Sequence, residues 1–285
     1  MSTSPLFRIP LAEWVDSLLD FLTATLAGAT RSVSNFVQNA IDFVLDIILL
    51  VPPWAFIIVV VLLLLWRTGI KLATFSLVGL FILWNLNLWV PTMTTIALVL
   101  VSTVFAIAMG LPLGVIAALH KKAGAIITPI LDFMQTMPAF VYLIPAIPFF
   151  GLGTVSAVFA TVIFSIPPTI RLTALGINQV SLELEEAADA FGATTAQKLF
   201  KVQLPLATAT IMAGINQTIM LGLSMAVIAS MIGAGGLGAE VWRAIQRLQP
   251  GLGFEAGLGV VIVAMILDRI TQKIGTKKSP PRKLH

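Results

Sequence analysis

Long apolar runs dominate this sequence and decide what kind of fold it can adopt. The hydrocarbon core of a bilayer is about 30 Å thick, and an α-helix needs roughly 20 apolar residues to cross it. The 285-residue chain is 58% hydrophobic and only 11% charged, whereas about 25% of the residues in a typical globular domain are charged. The sequence therefore predicts an all-α protein that crosses a membrane several times.

Seven segments are predicted to span the membrane, within a range of six to eight. The first is the weakest because it contains Pro52-Pro53, and a proline pair breaks or kinks a helix. Before it, residues 1–46 place apolar side chains at helical spacing beside Asp42 and Asp46, which predicts an amphipathic helix on the outer membrane surface. The predicted spans are 47–66, 70–90, 92–119, 126–150, 154–170, 206–232 and 254–270.

The basic residues predict the orientation of the chain. Thirteen of the 17 lysines and arginines fall on one side of a seven-span model, and cytoplasmic loops are the ones that accumulate these residues. We therefore expect an extracytoplasmic N-terminal segment over 1–46, a transmembrane domain over 47–274 and a basic cytoplasmic tail over 275–285. The basic charge follows from this topology and gives no support to nucleic-acid binding.

One cytoplasmic loop, residues 171–205, is long and polar and predicts two short helices. Ser181 can cap the first helix, and Gly192 suits its left-handed end. Thr194 and Gln197 form a capping box for the second helix, and Pro205 predicts a break before the next span. From the pattern alone, this hairpin is either a docking surface or an amphipathic pair lying on the bilayer or on its own subunit.

The same loop resembles the EAA loop of permease subunits in binding-protein-dependent ABC importers. The resemblance rests on Glu186-Ala187-Ala188, on Gly192 six positions after the glutamate, and on the sequence VQLP over 202–205, where the family usually begins with isoleucine. In that family the loop inserts into a groove on a separate ATPase. The residues to which the resemblance assigns coupling to the ATPase are Glu185, Glu186, Ala187, Ala188, Asp189, Gly192, Leu204 and Pro205.

A narrower resemblance covers residues 92–272 and is to permeases of the glycine betaine, proline and choline importer group. It is carried by stretches such as LDFMQTMPAFVYLIPAIPFFGLG and MIGAGGLGAEVWRAIQRLQPG. The resemblance implies a type I importer bundle in the bacterial inner membrane, a homodimer, two cytoplasmic ATPases that hold ATP and Mg, an extracytoplasmic binding protein and small quaternary ammonium cargo. No cofactor is expected in this chain itself.

Asp132 is the most informative charge for a translocation path. It lies in an apolar span one turn before Gln135, and the prolines that follow interrupt the helix where unwound backbone can line a water-filled path. The alternative is a structural role at the interface, paired with Lys121, Lys122 or Arg171. Trp84, Trp89 and Tyr142 are candidates for cation–π contact with a quaternary ammonium, although tryptophans near span ends also mark the membrane interface.

Other classes of function find little support in the sequence. The chain has no cysteine and only two histidines, so a metal site is not expected. The glycines of 233–238 match GxGxxG but open no βαβ unit, and no GxxxxGK[ST] sequence occurs. A membrane enzyme lacks a nucleophile constellation, and a secondary transporter would need internal repeats and several buried charges. A secondary transporter, or an ABC permease for another solute such as an amino acid, remains the alternative.

Overall fold

The computed structural model describes residues 10–275, and the side chains of residues 10–273. Its helices are α1 Leu11–Leu50, α2 Pro53–Arg67, α3 Ile70–Asn85, α4 Trp89–Leu119, α5 Lys121–Thr136, α6 Leu143–Phe150, α7 Thr154–Asn178, α8 Leu182–Ala190, α9 Thr195–Lys198, α10 Leu204–Ala229, α11 Gly236–Gln246 and α12 Pro250–Gly275. The described part contains no β-strand, so the all-α prediction is confirmed. The predicted tail, 275–285, lies almost wholly outside the described residues.

The helix lengths agree with a polytopic membrane protein. Five helical stretches are long and apolar enough to cross a bilayer, and the bent pair α5–α6 makes a sixth. α2 and α3 are apolar but shorter, with 15 and 16 residues. The predicted range of six to eight spans is consistent with this set.

α4, α7 and α10 form the centre of the bundle. α4 and α7 run parallel, because Gly110 faces Thr169 and, one turn later, Gly114 faces Thr173. α10 runs antiparallel to them, and Thr169 of α7 and Thr218 of α10 share a hydrogen bond of 2.8 Å where the two helices meet. A Cβ atom on Gly114 would lie 2.6 Å from Thr173 Cβ, so the backbones approach closely because a glycine faces the neighbouring helix.

The parallel run of α4 and α7 divides the bundle into two ends. We call them the Trp89 end, where α4 and α7 begin, and the Leu119 end, where α4 and α7 finish. The α2 residue Phe56 packs edge-on against Trp89 with ring centroids 5.6 Å apart, so α2 begins at the Trp89 end. α8 and α9 lie at the Leu119 end, between the end of α7 and the start of α10.

The N-terminal region is divided where the sequence predicted a break. The proline pair Pro52-Pro53 separates α1 from α2, so the predicted first span over 47–66 belongs to two helices, and α2 is the short one. The second half of α1 packs on the bundle: Val37 and Ile41 are buried, and the rings of Phe36 and Phe105 are 6.0 Å apart. Proline at the first position of α2 starts that helix without losing an intrahelical hydrogen bond.

The fourth predicted span is broken in its middle. α5 ends at Thr136, a short 3₁₀ turn covers Ala139–Tyr142, and α6 follows, with a bend of 113° between the two halves. Pro138 accounts for the break, since the residue before a proline avoids the helical region, and Met137 is extended with ψ 133°. Tyr142 is buried and donates a hydrogen bond to the carbonyl of Met134 across the bend.

Candidate functional site

The polar segment between α7 and α10 folds as two short helices, as predicted, but it begins later than expected. α7 continues to Asn178, so Arg171 belongs to this helix and the connecting segment starts at Gln179. The capping box of Thr194 and Gln197 is confirmed, with hydrogen bonds in both directions. Ser181 occupies the N-cap position of α8, but its hydroxyl makes no capping hydrogen bond.

Gly192 ends α8 in the left-handed conformation, with φ +73° and open space around a potential Cβ atom. The Gly192 amide donates to the Asp189 carbonyl, and the Ala193 amide donates to the Ala188 carbonyl. This pattern is a glycine C-cap that reverses the chain toward α9. The left-handed turn predicted at this position is confirmed.

One face of α8 is tethered to the segment that follows it. Glu185 accepts a hydrogen bond of 2.8 Å from Gln203 Nε2, and Asp189, one turn later, accepts two from Lys198 Nζ at 2.9 and 3.0 Å. The hydrogen bond to Asp189, opposed by desolvation, raises the pKa of the Lys198 ammonium above its usual value. The two carboxylates, four positions apart, thus fix which side of α8 faces the protein.

The other face of α8 is exposed in the part of the chain that the structure describes. No residue of α8 is buried, and Glu186 and Ala187 are exposed, whereas Ala188 is half-buried. Phe191, directly after the helix, is 93% exposed, and Leu182 is 68% exposed. Burying each of these two side chains would contribute about 1.5–3 kcal/mol. We call the surface formed by Glu186, Ala187 and Phe191 the outward face; Leu182, nine positions before Phe191, lies on the opposite side of the helix.

The base of the segment is a small apolar cluster at the Leu119 end. Leu199 is buried with Ile177, Ala207 and Ile211, and Leu204 packs against them. The break predicted at Pro205 is wrong: a π-helical turn over Leu199–Gln203 leads directly into α10, and the Leu204 amide donates to the Leu199 carbonyl. Pro205 itself lies in the first turn of α10, where the absence of a backbone N–H costs no intrahelical hydrogen bond.

The candidate path residues do not form one cluster. Asp132 is exposed and pairs with Arg171 of α7, which is one of the structural contacts offered as the alternative, and Gln135 is exposed on the same helix. Tyr142 is buried, with its ring edge-on to Phe164. A role for these residues in transport stays a prediction.

The two tryptophans lie elsewhere. Trp89 is buried against Phe56 at the Trp89 end, and Trp84 packs edge-on against Phe81 near the end of α3. Neither has a ring contact with Tyr142 among the described residues. Within residues 10–275 there is also no cluster of three or more metal-ligating side chains.

Two residues of the site escaped the sequence analysis. Gln203 and Lys198 hold α8 in place, but they are 18 and 9 positions from their partners. What marks Gln203 is that it is a polar residue at a buried position, with only 5% of its surface exposed. That burial can be seen only in the folded protein.

Comparison with known proteins identifies a family. The family model described as the binding-protein-dependent transport system inner membrane component matches residues 110–277, which is more than half of the chain. A glycine betaine/carnitine transport permease protein of Listeria monocytogenes is 54% identical over 273 residues, covering 94% of this chain and 96% of that protein. A glycine betaine transport system permease protein of Bacillus subtilis is 50% identical over 271 residues, covering 95% and 96%.

Solved structures share the fold at lower identity. The MetNI methionine ABC transporter, in an inward-facing conformation, has a chain that superposes with a TM-score of 0.60 at 22% identity. The match covers 64% of this chain and 91% of that chain. At this identity the likeness supports the bundle architecture alone.

Proposed function

Because the chain belongs to the family of binding-protein-dependent transport system inner membrane components, we propose that it carries glycine betaine, or a similar quaternary ammonium osmolyte such as choline or proline betaine, across the inner membrane. The chain is the permease subunit of an ABC importer for osmolytes, and in such importers a separate subunit hydrolyses ATP. The proposal concerns the cargo, the partners and the residues that couple them. Its support for the cargo is the identity of 50% or more to two permeases named for glycine betaine.

The outward face of α8 carries the proposed coupling role. It presents the large apolar side chain of Phe191 and the Glu186 carboxylate at the Leu119 end of the bundle. A protein groove would bury this face and remove its apolar surface from water. We assign the contact to Glu186 and Ala187, with Ala188 beside them, and we assign the holding of the helix to Glu185 and Asp189. Gly192 sets the turn, and Leu204 and Pro205 anchor the segment to α10.

The proposed assembly has two copies of this chain, two cytoplasmic ATPase subunits and an extracytoplasmic binding protein. ATP binding would draw the ATPases together and move the two α8 segments toward each other. Because each segment is rooted in the bundle through Leu199 and Leu204, that motion would be passed to α7 and α10. The bundles would then tilt from inward-open to outward-open and receive cargo from the binding protein.

The orientation follows from the same arrangement. The Leu119 end carries Lys121, Lys122, Lys198 and Lys201, so we assign this end and the end of α12 to the cytoplasm. Two features of α1 favour opposite positions for the start of this helix. Its second half packs beside α4, which favours a helix that crosses the membrane. Its Asp42 and Asp46 are exposed, which is costly in lipid and favours a helix at the membrane surface. We propose that α1 begins outside.

Labelling tests the proposed N-terminal orientation. A cysteine replacing Arg31 should react with a membrane-impermeant maleimide in intact cells, and a cysteine replacing Lys122 should react only after permeabilisation. If the Arg31 position also requires permeabilisation, α1 crosses the bilayer and the N-terminus is cytoplasmic.

Uptake into vesicles tests the function. Vesicles containing the permease with its ATPase, and loaded binding protein outside, should accumulate labelled glycine betaine only when ATP is supplied to the ATPase. Uptake that follows an ion gradient without ATP would indicate a secondary transporter, and competition by an amino acid but not by choline or proline betaine would indicate a different cargo.

A substitution at Asp132 tests the path. We expect Asp132→Asn to slow uptake while assembly with the ATPase persists, because a carboxylate near the path would attract a quaternary ammonium. Unchanged uptake kinetics would leave Asp132 with its structural pairing to Arg171 alone.

A further inference from the structure

A basic groove lies at the Leu119 end, between the α2–α3 turn and the last two turns of α12. Gly79 of α3 lies against Ile262 of α12. Leu83, one turn later in α3, lies against Gly259, which comes earlier in α12, so the two helices are antiparallel. α12 therefore begins at the Trp89 end and finishes beside the turn between α2 and α3. The basic residues that line the groove are Arg67, Lys71, Arg269 and Lys273.

The groove holds two adjoining cavities, of about 250 and 290 Å³. Within the described residues, no acidic side chain lines either cavity. The second cavity continues along α2 as an apolar wall, and the Trp66 ring on that wall is 79% exposed. Positive charge thus lies directly beside an apolar surface. The apolar residues of the wall are Leu63, Leu64, Trp66 and Ile270.

Three of the four cations have little or no compensation from protein carboxylates. Arg67 and Lys71 form no salt bridge among the described residues. Arg269 comes only within 3.9 Å of Asp268, and that carboxylate accepts a hydrogen bond of 2.8 Å from Asn216 of α10. The groove therefore presents a net positive charge.

The tendency of cytoplasmic ends to collect basic residues does not by itself account for this arrangement. That tendency places cations on one side of the membrane, but it does not bring them to one cavity. Elsewhere at the same end, Lys198 pairs with Asp189 at 2.9 Å. The cations of the groove differ because the groove leaves their charge available to a ligand.

The length of α2 places the groove at the level of the lipid headgroups. α2 has 15 residues, so it is about 22 Å long, which is less than the roughly 30 Å of a hydrocarbon core. Exposed Trp54 and Trp66 lie near its two ends, where tryptophans mark the membrane interfaces. A short span is accommodated by a thinner bilayer or by long flanking side chains that reach the headgroups. In either case lipid phosphates lie near Arg67.

A phospholipid matches the groove better than a soluble anion or an acidic protein surface. Its phosphate accepts hydrogen bonds from arginine and lysine, and basic pockets between membrane-spanning helices bind the headgroups of anionic lipids. Its acyl chains cover an apolar wall, which a soluble phosphate would leave in contact with water. A protein that approaches from the aqueous side would not cover the wall along α2.

We propose that the basic groove binds an anionic phospholipid, with the phosphate held by Arg67, Lys71 and Arg269 and an acyl chain lying along Leu63 and Trp66. The bound lipid joins the α2–α3 turn to α12. This site goes beyond the proposed function, because it does not depend on the cargo.

Removal of two cations tests the site in the assembled importer, in phosphatidylcholine nanodiscs with or without phosphatidylglycerol. Native mass spectrometry measures the phosphatidylglycerol that the permease retains, and thermal unfolding measures the stability that this lipid adds. Arg67→Gln together with Lys71→Gln should lower retention about tenfold and abolish the added stability. Arg67→Lys together with Lys71→Arg keeps the charge and should keep most of both.

The matched control is Lys121→Gln together with Lys122→Gln, which removes the same charge from exposed residues at the same end and should leave retention unchanged. Arg269→Gln is a second test, from α12, and should also lower retention. Wild-type retention in Arg269→Gln and in the Arg67 and Lys71 double variant would overturn the proposal, as would an equal loss in the control.

Two further outcomes would assign the groove to another ligand and overturn the lipid site. One is that soluble glycerol phosphate, added to phosphatidylcholine nanodiscs, stabilises the importer as much as phosphatidylglycerol does. The other is that the Arg67 and Lys71 double variant loses its ATPase subunit while it retains phosphatidylglycerol at the wild-type level. None of these measurements requires cargo uptake, so they separate this site from the proposed function.

Discussion

α7 and α8 are consecutive helices, yet they are stabilised in opposite ways. α7 has buried residues from Val155 to Ile177, and its neighbours α4 and α10 approach it at glycines. α8 has none and is held by two carboxylates and a glycine turn. The comparison teaches that the two helices differ in what they offer a partner: α7 is enclosed by its neighbours, whereas the outward face of α8 is exposed among the described residues.

The largest expected effect on stability concerns the close packing of α4 against α7. Gly114→Ala places a Cβ atom 2.6 Å from Thr173 Cβ and 2.7 Å from the Ile170 carbonyl oxygen, so α4 and α7 must separate. Overpacking of this kind costs about 1–3 kcal/mol or more. We expect a lower unfolding temperature and reduced membrane levels of the permease.

Gly257→Ala is the control for that substitution. Gly257 also lies in a helix, but a Cβ atom there has nothing within 4 Å, so stability should be retained or slightly raised. An equal loss of stability from both substitutions would show that stability does not depend on the close approach of α4 and α7 at Gly114.

The next effect concerns the turn after α8. Gly192→Val has open space but an unfavourable φ of +73°, which costs a β-branched residue about 1–3 kcal/mol. We expect normal membrane levels with uptake reduced by an order of magnitude, since the turn and Phe191 would shift. Gly192→Asn, which tolerates this conformation better, should retain most of the uptake. If the valine variant transports like wild type, the turn does not position α8.

The smallest effect concerns the tether. Gln203→Leu removes the hydrogen bond to Glu185, and a hydrogen bond to a charged group contributes about 1.5–3 kcal/mol. Because Asp189 and Lys198 still hold α8, we expect a twofold to fivefold increase in ATP hydrolysed per molecule transported, with little change in folding. The control is Gln246→Leu, at an exposed glutamine at the end of α11 and away from α8. An unchanged ratio in Gln203→Leu would mean that the second tether is sufficient.

The same comparison explains how much the sequence could predict. The caps of α9 and the turn at Gly192 depend on neighbouring residues, so local chemistry predicted them correctly. The link from Gln203 to Glu185 could not be predicted, because it forms only once the turn has reversed the chain. The break in the first predicted span was placed correctly at Pro52-Pro53. What the sequence did not show is that residues 47–50 end a long helix whose residues Val37 and Ile41 are buried in the bundle.

The α7 boundary and Pro205 were missed for a related reason. Arg171 looked like the start of a loop because it is charged, but it pairs with Asp132, and α7 continues past it with Thr173, Gly176 and Ile177 buried. Pro205 predicts a helix break, yet the π-helical turn before it shifts the hydrogen bonds so that its missing N–H is not needed. In both cases a tertiary or backbone adjustment overrides a local signal.

Contact between α8 and the ATPase is the central claim, and Glu186→Lys tests its consequence. Reversing the charge on the outward face should reduce both binding-protein-stimulated ATP hydrolysis and uptake about tenfold, because the contact no longer matches its groove. Glu13→Lys, which reverses an exposed charge on α1, should change neither.

The most direct measurement is site-specific photo-crosslinking from position 191. With p-benzoylphenylalanine replacing Phe191 in the assembled importer, we predict a crosslink to the ATPase subunit that changes in yield when ATP is bound. The same group in place of Leu252, at the Trp89 end, should give no crosslink to the ATPase. A position-191 probe that reacts only with lipid or with its own subunit would contradict the account, because α8 would then lie on the bilayer or on its own chain.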